Sequence, residues 1–242
     1  VMTTILITGA NRGIGLGLVK EILKDDSIGK LIATARDPNK ATELQAIKDP
    51  RLHLVQLDAE KDESIKNAVQ QVERLVGDRG LDILVNNAGV LYPVDVNGPL
   101  NRSDAKANFD VNCVGTLLVT IAFGPLLKKA ANKQGHSQIA HLSSFLASLQ
   151  DAIGSYAPRN FLAYTMSKTA INALTRNLSI DWKNDNVRVT SVDPGWVKTD
   201  MGKDDALITV EESTSKLAKV ILNLKESDNG GYISYDGKHL RW

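Results

Sequence analysis

Short runs of apolar residues alternate along this chain with longer stretches in which apolar positions recur every three or four residues. The recurring pattern, as at Ile65, Val69 and Val72, is typical of amphipathic helices, whereas short continuous apolar runs are typical of strands buried on both faces. The runs predict strands at residues 4–8, 31–35, 52–57, 83–86, 138–143, 187–193 and 231–235. The recurring patterns predict helices at residues 14–24, 62–76, 105–127, 163–184 and 210–224.

The order of these elements predicts the fold class. Strands that alternate with helices run parallel, with crossover helices on both faces of the sheet. We therefore expect an α/β protein with a Rossmann-type doubly wound parallel sheet, formed as a single domain by residues 1–242, a common length for one such domain. Ligands bind such sheets beyond the carboxyl ends of the strands, so functional residues should directly follow strands.

Charge and cysteine content narrow the classes of partner. The chain has 29 Lys and Arg residues against 28 Asp and Glu residues, a net charge of +1. It therefore lacks the basic excess of most nucleic-acid-binding proteins, and we predict no nucleic-acid partner. Cys113 is the only cysteine, and neither His136 nor His141 has a cysteine or carboxylate at metal-ligand spacing. We therefore predict no metal site.

The N-terminus and the lengths of the apolar runs indicate where in the cell the protein is located. Residues 1–5 lead into a strand pattern without the charged region and cleavage signature of a secretory signal. No apolar run approaches the roughly 18 residues of a membrane-spanning helix. We therefore predict a cytoplasmic protein with no membrane partner.

A glycine-rich segment connects the first predicted strand to the first predicted helix. It reads Thr8-Gly9-Ala10-Asn11-Arg12-Gly13-Ile14-Gly15. Its glycines allow a tight turn and a close approach of the backbone to a pyrophosphate, and the helix N-terminus offers free N–H groups to the anion. An ordinary strand-to-helix turn is the alternative, but the position in the first such turn favours a dinucleotide site.

Three further motifs stand in order behind this loop. They are Asn86-Asn87-Ala88-Gly89, Tyr164-x-x-x-Lys168 and Pro194-Gly195-Trp196-Val197-x-Thr199. With the glycine loop, they make the chain resemble the short-chain dehydrogenase/reductase family over residues 8–199. Residues 33–37 and the long gap before Tyr164 are similar to the sniffer-type carbonyl reductases within that family.

The resemblance implies a hydride transfer between a nicotinamide cofactor and a carbonyl or alcohol. Tyr164 would be the acid/base, while Lys168 would lower its pKa and hold the nicotinamide ribose. An ammonium four residues along a helix favours the phenolate of a tyrosine, whose pKa is ordinarily near 10. A sensor or interaction protein that binds NADP(H) without turnover is the alternative, although such proteins usually lose the tyrosine or the lysine.

Two more side chains acquire catalytic roles from the resemblance. Ser144 would hydrogen-bond the substrate oxygen, and Asn112 would anchor a water that links Lys168 to solvent. The separation of 20 residues between Ser144 and Tyr164 exceeds the usual family spacing. This longer spacing weakens the assignment of Ser144 as the catalytic serine, and it predicts an altered substrate entrance.

The residue after the second strand contacts the adenosine ribose of the cofactor and distinguishes a free 2′-hydroxyl from a 2′-phosphate. An acidic side chain there would repel a 2′-phosphate, whereas Arg36, together with Arg12, would bracket one. Asp37 argues against this interpretation, but it comes one position late and could pair with an arginine. We therefore predict NADP(H) as the cofactor.

The resemblance assigns a wider set of residues to the cofactor. Asp58 would contact the adenine or simply cap the third strand. Thr199 would reach the nicotinamide carboxamide, form the N-cap of a short helix that follows it, or do both. The predicted cofactor-binding residues are Gly9, Asn11, Arg12, Gly13, Ile14, Gly15, Arg36, Asp58, Asn87, Ala88, Gly89, Tyr164, Lys168, Pro194, Gly195, Val197 and Thr199.

The substrate pocket and the assembly are predicted from apolar residues. Leu91, Phe145, Leu146, Tyr156, Phe161, Trp196 and residues 201–207 should line the pocket, and their character favours a small lipophilic carbonyl or alcohol. The family commonly dimerises through the helices predicted here at 105–127 and 163–184. Apolar residues beyond one buried face, Leu117, Leu118, Ile121, Leu174 and Leu178, predict a homodimer. The alternative is a monomer in which the extended loop before Tyr164 folds over those helices.

Overall fold

One parallel sheet organises the residues that the computed structural model describes, 2–151 and 160–242. Its strands lie in the order β3-β2-β1-β4-β5-β6-β7, and every adjacent pair is parallel. This arrangement confirms the predicted doubly wound sheet. The strands are β1 Thr3–Ile7, β2 Ile28–Ala35, β3 Leu52–Gln56, β4 Ile83–Asn86, β5 Ser137–Leu142, β6 Val187–Asp193 and β7 Tyr232–Ser234.

Helices cover both faces of this sheet. They are α1 Gly13–Ile22, α2 Thr42–Ala46, α3 Asp62–Val76, α4 Arg102–Phe109, α5 Thr116–Gln134, α6 Leu162–Asp181 and α7 Val210–Leu222. A π-helical turn, Asp110–Gly115, joins α4 to α5, so the helix predicted at 105–127 is longer in the structure. The short α2 was not expected, because five residues are too few to show a helical period.

The core lies in two layers because neighbouring residues of a strand face opposite sides of the sheet. Ile5 and Ile7 of β1 belong to the layer under α1 and α7, while Leu6 between them belongs to the layer under α3 and α5. Leu18 and Phe123 are fully buried representatives of the helices on the two sides. Burial on both faces explains the continuous apolar runs of the central strands.

The longest helical stretch bears on the membrane prediction. By length and composition alone, the 33 residues Arg102–Gln134 could cross a bilayer, contrary to the expectation from uninterrupted apolar runs. Half of its most apolar window is buried inside the protein, and Val119, Phe123 and Leu127 pack in the layer beneath α5. Packing of the core therefore accounts for much of this apolar content, and the cytoplasmic location remains a prediction.

Candidate active site

The glycine loop packs directly against the segment that follows β4. Gly9 has a φ of +62°, and a Cβ there would stand 2.8 Å from the Cα of Ala88. The Thr8 hydroxyl accepts hydrogen bonds of 3.0 Å from the backbone N–H groups of Asn87 and Ala88. In return, the Asn87 side chain donates to the carbonyl oxygens of Thr8 and Gly9, both at 2.9 Å. The Asn87 amide therefore ties the two loops together.

The N-terminus of α1 opens toward the end of β6. Arg12 is the N-cap residue and its side chain makes no capping hydrogen bond, so side-chain capping does not satisfy the first N–H groups of α1. The Arg12 guanidinium instead pairs with Asp200. A Cβ on Gly13, whose φ is +54°, would stand 3.4 Å from Cγ2 of Thr199. The two motifs thus meet, as their positions after parallel strands predict.

Thr199 and Asp58 both accept local hydrogen bonds. The Thr199 hydroxyl accepts a hydrogen bond of 3.1 Å from the N–H of Gly202. Asp58 accepts one of 3.2 Å from the N–H of Glu60, and its carboxylate lies 3.4 Å from Nζ of Lys61. The capping alternative holds for Asp58, whereas Thr199 closes a turn and not the expected short helix, because residues 200–207 form no helix. A contact of either residue with a cofactor remains a prediction.

Arg36 and Asp37 differ in the hydrogen bonds and ion pairs that they form with neighbouring groups. Arg36, directly after β2, is exposed, and in the described part of the chain its guanidinium forms no ion pair. The Asp37 carboxylate accepts a hydrogen bond of 3.1 Å from the N–H of Asn39 and lies 3.5 Å from Nζ of Lys40. Asp37 therefore pairs with a lysine, not with an arginine as the sequence suggests.

Tyr164 and Lys168 are both buried on the inner face of α6. Nζ of Lys168 donates a hydrogen bond of 2.7 Å to the carbonyl oxygen of Leu142 at the end of β5, and it lies 5.8 Å from the centre of the Tyr164 ring. A Cβ on Gly89 would stand 3.5 Å from Nζ of Lys168 and 3.2 Å from Oδ1 of Asn112. Gly89 therefore lies close to both side chains.

Asn112 sits in the π-helical turn between α4 and α5. Its Oδ1 accepts from the N–H of Val90 and its Nδ2 donates to the Val90 carbonyl oxygen, both at 2.8 Å. Nδ2 also donates to the Ser167 hydroxyl at 3.0 Å. Asn112 thus connects the segment after β4 to α6, the helix that carries Tyr164, and its part in a water relay remains a prediction.

The two serines after β5 point in different directions. The Ser143 hydroxyl donates to Oδ1 of Asn172 at 2.7 Å, and Ser143 is fully buried. The Ser144 hydroxyl accepts from the N–H of Leu146 at 3.2 Å, and it lowers the pKa of Tyr164. Of the two candidates, Ser144 is therefore the one that lies beside the tyrosine.

An apolar cavity opens at Ser144 and Tyr164. Of the predicted lining residues, Tyr156 lies outside the described residues, and the segment 201–207 contributes only Met201 and Gly202. The cavity also takes in Ile14 of the glycine loop and Thr199, so the cofactor motifs and the pocket share one space. Its lining residues are Ile14, Leu91, Ser143, Ser144, Phe145, Leu146, Phe161, Tyr164, Pro194, Gly195, Trp196, Val197, Thr199, Met201 and Gly202.

Comparison with known proteins decides the family. The sequence model described as "short chain dehydrogenase" matches residues 3–207, most of the chain. The protein is a short-chain dehydrogenase. An uncharacterized oxidoreductase of Schizosaccharomyces pombe is 33% identical over 96% of this chain and 94% of its own length.

Solved structures extend the similarity to the carbonyl reductases of this family. Sniffer carbonyl reductase of D. melanogaster is 35% identical with a TM-score of 0.94, and the match covers 100% of both chains. NADPH-bound carbonyl reductase from chicken fatty liver is 36% identical with a TM-score of 0.92, over 100% of this chain and 94% of the other. This short-chain dehydrogenase therefore resembles the sniffer type, as the sequence predicts.

Burial dominates the pKa of Tyr164 in this short-chain dehydrogenase. The sequence predicts that Lys168 lowers the pKa of Tyr164, but burial raises that pKa to about 12. The Ser144 hydroxyl lowers this pKa and the Asp193 carboxylate raises it. The Lys168 ammonium is turned toward the Leu142 carbonyl and burial lowers the pKa of Lys168 to about 8, so the effect of Lys168 on Tyr164 remains a prediction.

Sequence reasoning missed two buried side chains behind the pocket of this short-chain dehydrogenase. Asp193 ends β6, and its carboxylate accepts a hydrogen bond of 3.0 Å from the N–H of Phe145. Tyr232 of β7 is buried and its hydroxyl donates to the carbonyl oxygen of Ser144. The one available signal was a carboxylate at the end of a predicted strand, next to Pro194.

Proposed function

We propose that the protein is an NADP(H)-dependent carbonyl reductase that moves a hydride between nicotinamide and a carbonyl or alcohol, with Tyr164 as acid/base. The observation that carries this proposal is that the hydroxyls of Ser144 and Tyr164 line one apolar cavity, with Lys168 one helical turn further along α6. Membership of the short-chain dehydrogenase family and similarity to carbonyl reductases support the proposal.

The cofactor side of the cavity suits NADP(H). The N-terminus of α1, which its N-cap side chain leaves open, is suited to bind the pyrophosphate. The exposed Arg36 guanidinium is suited to bind the 2′-phosphate, since it can donate two parallel hydrogen bonds to an anion. Arg12 can join it by exchanging its partner Asp200. When bound, the reduced nicotinamide supplies the hydride.

The acid/base step belongs to Tyr164. With a pKa near 12 the hydroxyl is protonated at neutral pH, ready to donate its hydrogen to the oxygen of a carbonyl as negative charge develops there. Ser144 donates a second hydrogen bond to that oxygen and so stabilises the developing charge. The Lys168 ammonium favours the phenolate that remains on Tyr164, even though it does not contact the hydroxyl directly.

The substrate side favours lipophilic carbonyl compounds. Apart from the hydroxyls near Tyr164, the cavity wall is mainly apolar, and Phe145, Phe161 and Trp196 contribute aromatic surface. Such a wall stabilises an apolar body by burial, while the few hydroxyls orient the carbonyl group.

A direct assay tests this function. Purified protein is mixed with NADPH and a panel of lipophilic aldehydes, ketones and quinones, and NADPH consumption is followed by absorbance. We expect turnover with at least one member, and none by the Tyr164→Phe variant. Tight binding of NADPH without turnover across the panel would instead favour the sensor or interaction protein.

A further inference from the structure

Residues 238–242, here called the tail, run antiparallel to β7 at the edge of the sheet. The N–H of Ser234 donates to the carbonyl oxygen of Lys238 at 2.8 Å. The N–H of Leu240 donates to the carbonyl oxygen of Tyr232, also at 2.8 Å. These backbone hydrogen bonds fix the tail to the sheet.

Aromatic and cationic contacts hold the Trp242 side chain of the tail. Its ring stacks on that of the buried Tyr232, with ring centres 5.3 Å apart and planes at 21°. The guanidinium of Arg176, on α6, lies 5.9 Å from the centre of the Trp242 ring and donates to the carbonyl oxygen of Gly230 at 3.0 Å. Both kinds of contact stabilise an aromatic ring beyond its burial. Trp242 is therefore held by β7 and by α6.

The tail also contacts residues 150 and 151, which follow β5 and the first part of the cavity wall. The N–H of Gln150 donates to the carbonyl oxygen of Trp242 at 3.1 Å. Nε of Arg241 donates to Oδ2 of Asp151 at 3.0 Å, and Nη2 of Arg241 donates to Oδ1. Such a two-point pair fixes the orientation of the carboxylate as well as its distance.

Residues 144–151, here called the wall segment, are thus held at both ends by β7 and the tail. At the first end, the Tyr232 hydroxyl donates to the carbonyl oxygen of Ser144. The segment also carries Phe145 and Leu146, two apolar residues that line the cavity. Contacts of the tail therefore determine where part of the cavity wall lies.

Burial does not hold the far end of the wall segment. Leu149 is 70% exposed, and the pair between Arg241 and Asp151 is itself exposed. An isolated exposed ion pair adds little to the stability of a whole fold. The effect of this pair is instead local, because the pair and the Gln150 hydrogen bond join the far end to the tail.

We propose that Arg241 and Trp242 are positioning residues that determine substrate specificity, because they hold the wall segment in place for bulky lipophilic carbonyl compounds. This inference rests on the proposed function. A bulky substrate packs against Phe145 and Leu146, and a preformed wall need not be ordered when that substrate binds. A small substrate that contacts only the hydroxyls near Tyr164 does not depend on the wall.

The first test compares kcat and KM for the smallest and the bulkiest aldehyde that the protein reduces with NADPH. The variants are Arg241→Gln, Trp242→Ala, Arg241→Glu, and Arg241→Glu combined with Asp151→Arg, which exchanges the two charges. Lys238→Gln is the matched control, because it removes an exposed ion pair with Asp236 on the same tail.

We expect Arg241→Gln to raise KM for the bulky aldehyde about threefold and Trp242→Ala to raise it about tenfold. KM for the small aldehyde should stay near the native value, as should kcat of Arg241→Gln for both aldehydes. Arg241→Glu should also raise KM for the bulky aldehyde, and adding Asp151→Arg should return it to within about twofold of the native value. Lys238→Gln should behave as the native protein.

Hydrogen exchange provides a second readout that does not depend on activity. The backbone N–H groups of residues 147, 148, 150 and 151 donate hydrogen bonds, and their protection reports local opening of the wall segment. Peptides that cover residues 144–151 should exchange faster in Arg241→Gln than in the native protein or in Lys238→Gln. Peptides that cover β7 should not change.

Three results would each overturn the proposal: an equal rise in KM for both aldehydes, no recovery in the charge-exchange variant, or unchanged hydrogen exchange in the wall segment. Failure of the underlying function is distinguishable, because the native protein would then reduce no aldehyde. In that case faster exchange in Arg241→Gln still supports the hold of the tail on the wall segment, and unchanged exchange rejects it.

Discussion

The ammonium group of Lys168 donates a hydrogen bond of 2.7 Å to the carbonyl oxygen of Leu142. Because Leu142 is the last residue of β5, this bond fastens α6 to the strand end from which Ser143 and Ser144 continue. Lys168 thus contributes to the placement of the serine as well as to the charge near Tyr164. Its burial has an energetic cost that can be measured.

Lys168→Met should separate function from stability. Burial lowers the pKa of Lys168 from 10.5 to about 8, so the charged form costs about 3 kcal/mol below pH 8, and stability is regained as pH rises from 8 toward 10.5. Methionine removes that cost but loses one hydrogen bond worth about 1 kcal/mol. Denaturant unfolding at pH 7 should therefore show a variant at least as stable as the native protein. Its kcat and its affinity for NADPH should both fall. A stability loss above about 2 kcal/mol would contradict the burial cost.

Tyr164→Phe should abolish turnover while leaving the fold and NADPH binding in place. It removes only the hydroxyl, which is both the proton donor and a hydrogen-bond donor to the developing alkoxide. General acid catalysis contributes about 10²–10⁴-fold, so we expect kcat to fall at least about 10³-fold. Tyr92→Phe, at a more exposed tyrosine, is the control. Retention of more than about a tenth of kcat, with chemistry rate-limiting, would reject the tyrosine mechanism.

The fold could be predicted from the sequence because both faces of the sheet are buried. Continuous apolar runs such as 5–7 and 83–85 mark strands, and glycines and prolines such as Gly9, Pro194 and Gly195 mark strand ends. Asp193 and Tyr232 could not be assigned in the same way. Their contacts with Phe145 and Ser144 join segments 48 and 88 residues apart in the chain, and no local pattern records such pairs.

The pKa of Tyr164 could not be predicted from the sequence for a similar reason. The spacing of Tyr164 and Lys168 reveals that both lie on one helix face, but not where each side chain turns or how much water remains. Burial is the largest influence on the pKa of Tyr164, and it depends on β5 and β6 packed against α6.

Arg36→Asp should change cofactor preference. The exposed guanidinium becomes a carboxylate that repels the 2′-phosphate and accepts from a free 2′-hydroxyl. We expect the ratio of NADPH to NADH affinity to fall at least about tenfold, a change of about 1.4 kcal/mol. Titration by cofactor fluorescence measures both affinities. Arg74→Asp, the same change on α3, should leave the ratio unchanged. Equal native affinities for NADPH and NADH would refute the 2′-phosphate site.

The outer faces of α5 and α6 carry the dimer prediction. Leu178 is buried in the core and Leu117, Leu118 and Leu174 are partly buried, so these residues supply less free surface than the sequence suggested. Ile121 remains 53% exposed and Met166 58% exposed. We expect light scattering to give a dimeric mass at micromolar concentration. Ile121→Asp should yield a folded monomer, whereas Leu100→Asp, at an exposed loop residue, should not. A monomeric native protein would refute the dimer.

His141 should set part of the acid sensitivity of the fold. It is fully buried in β5, where Nδ1 lies 2.9 Å from the Thr175 hydroxyl and Nε2 lies 3.3 Å from the Thr120 hydroxyl. Burial, followed by the charge of Lys168, lowers its pKa from 6.5 to about 3. Between pH 6.5 and about 3, His141 therefore binds a proton in the unfolded chain but not in the folded chain. The resulting stability is fully present above pH 6.5 and is lost as pH falls toward 3, up to about 5 kcal/mol.

His141→Asn tests this pH dependence. Asparagine does not titrate, but it packs less well and keeps fewer hydrogen bonds, so the variant should be about 1–3 kcal/mol less stable at pH 7. Urea unfolding at pH 7, 5.5 and 4 should show this difference shrinking as the pH falls, because only the native protein loses the histidine contribution. For His239→Asn, at a largely exposed histidine, stability should change with pH as it does in the native protein. If the stability of His141→Asn also changes with pH in that way, His141 does not contribute to acid unfolding.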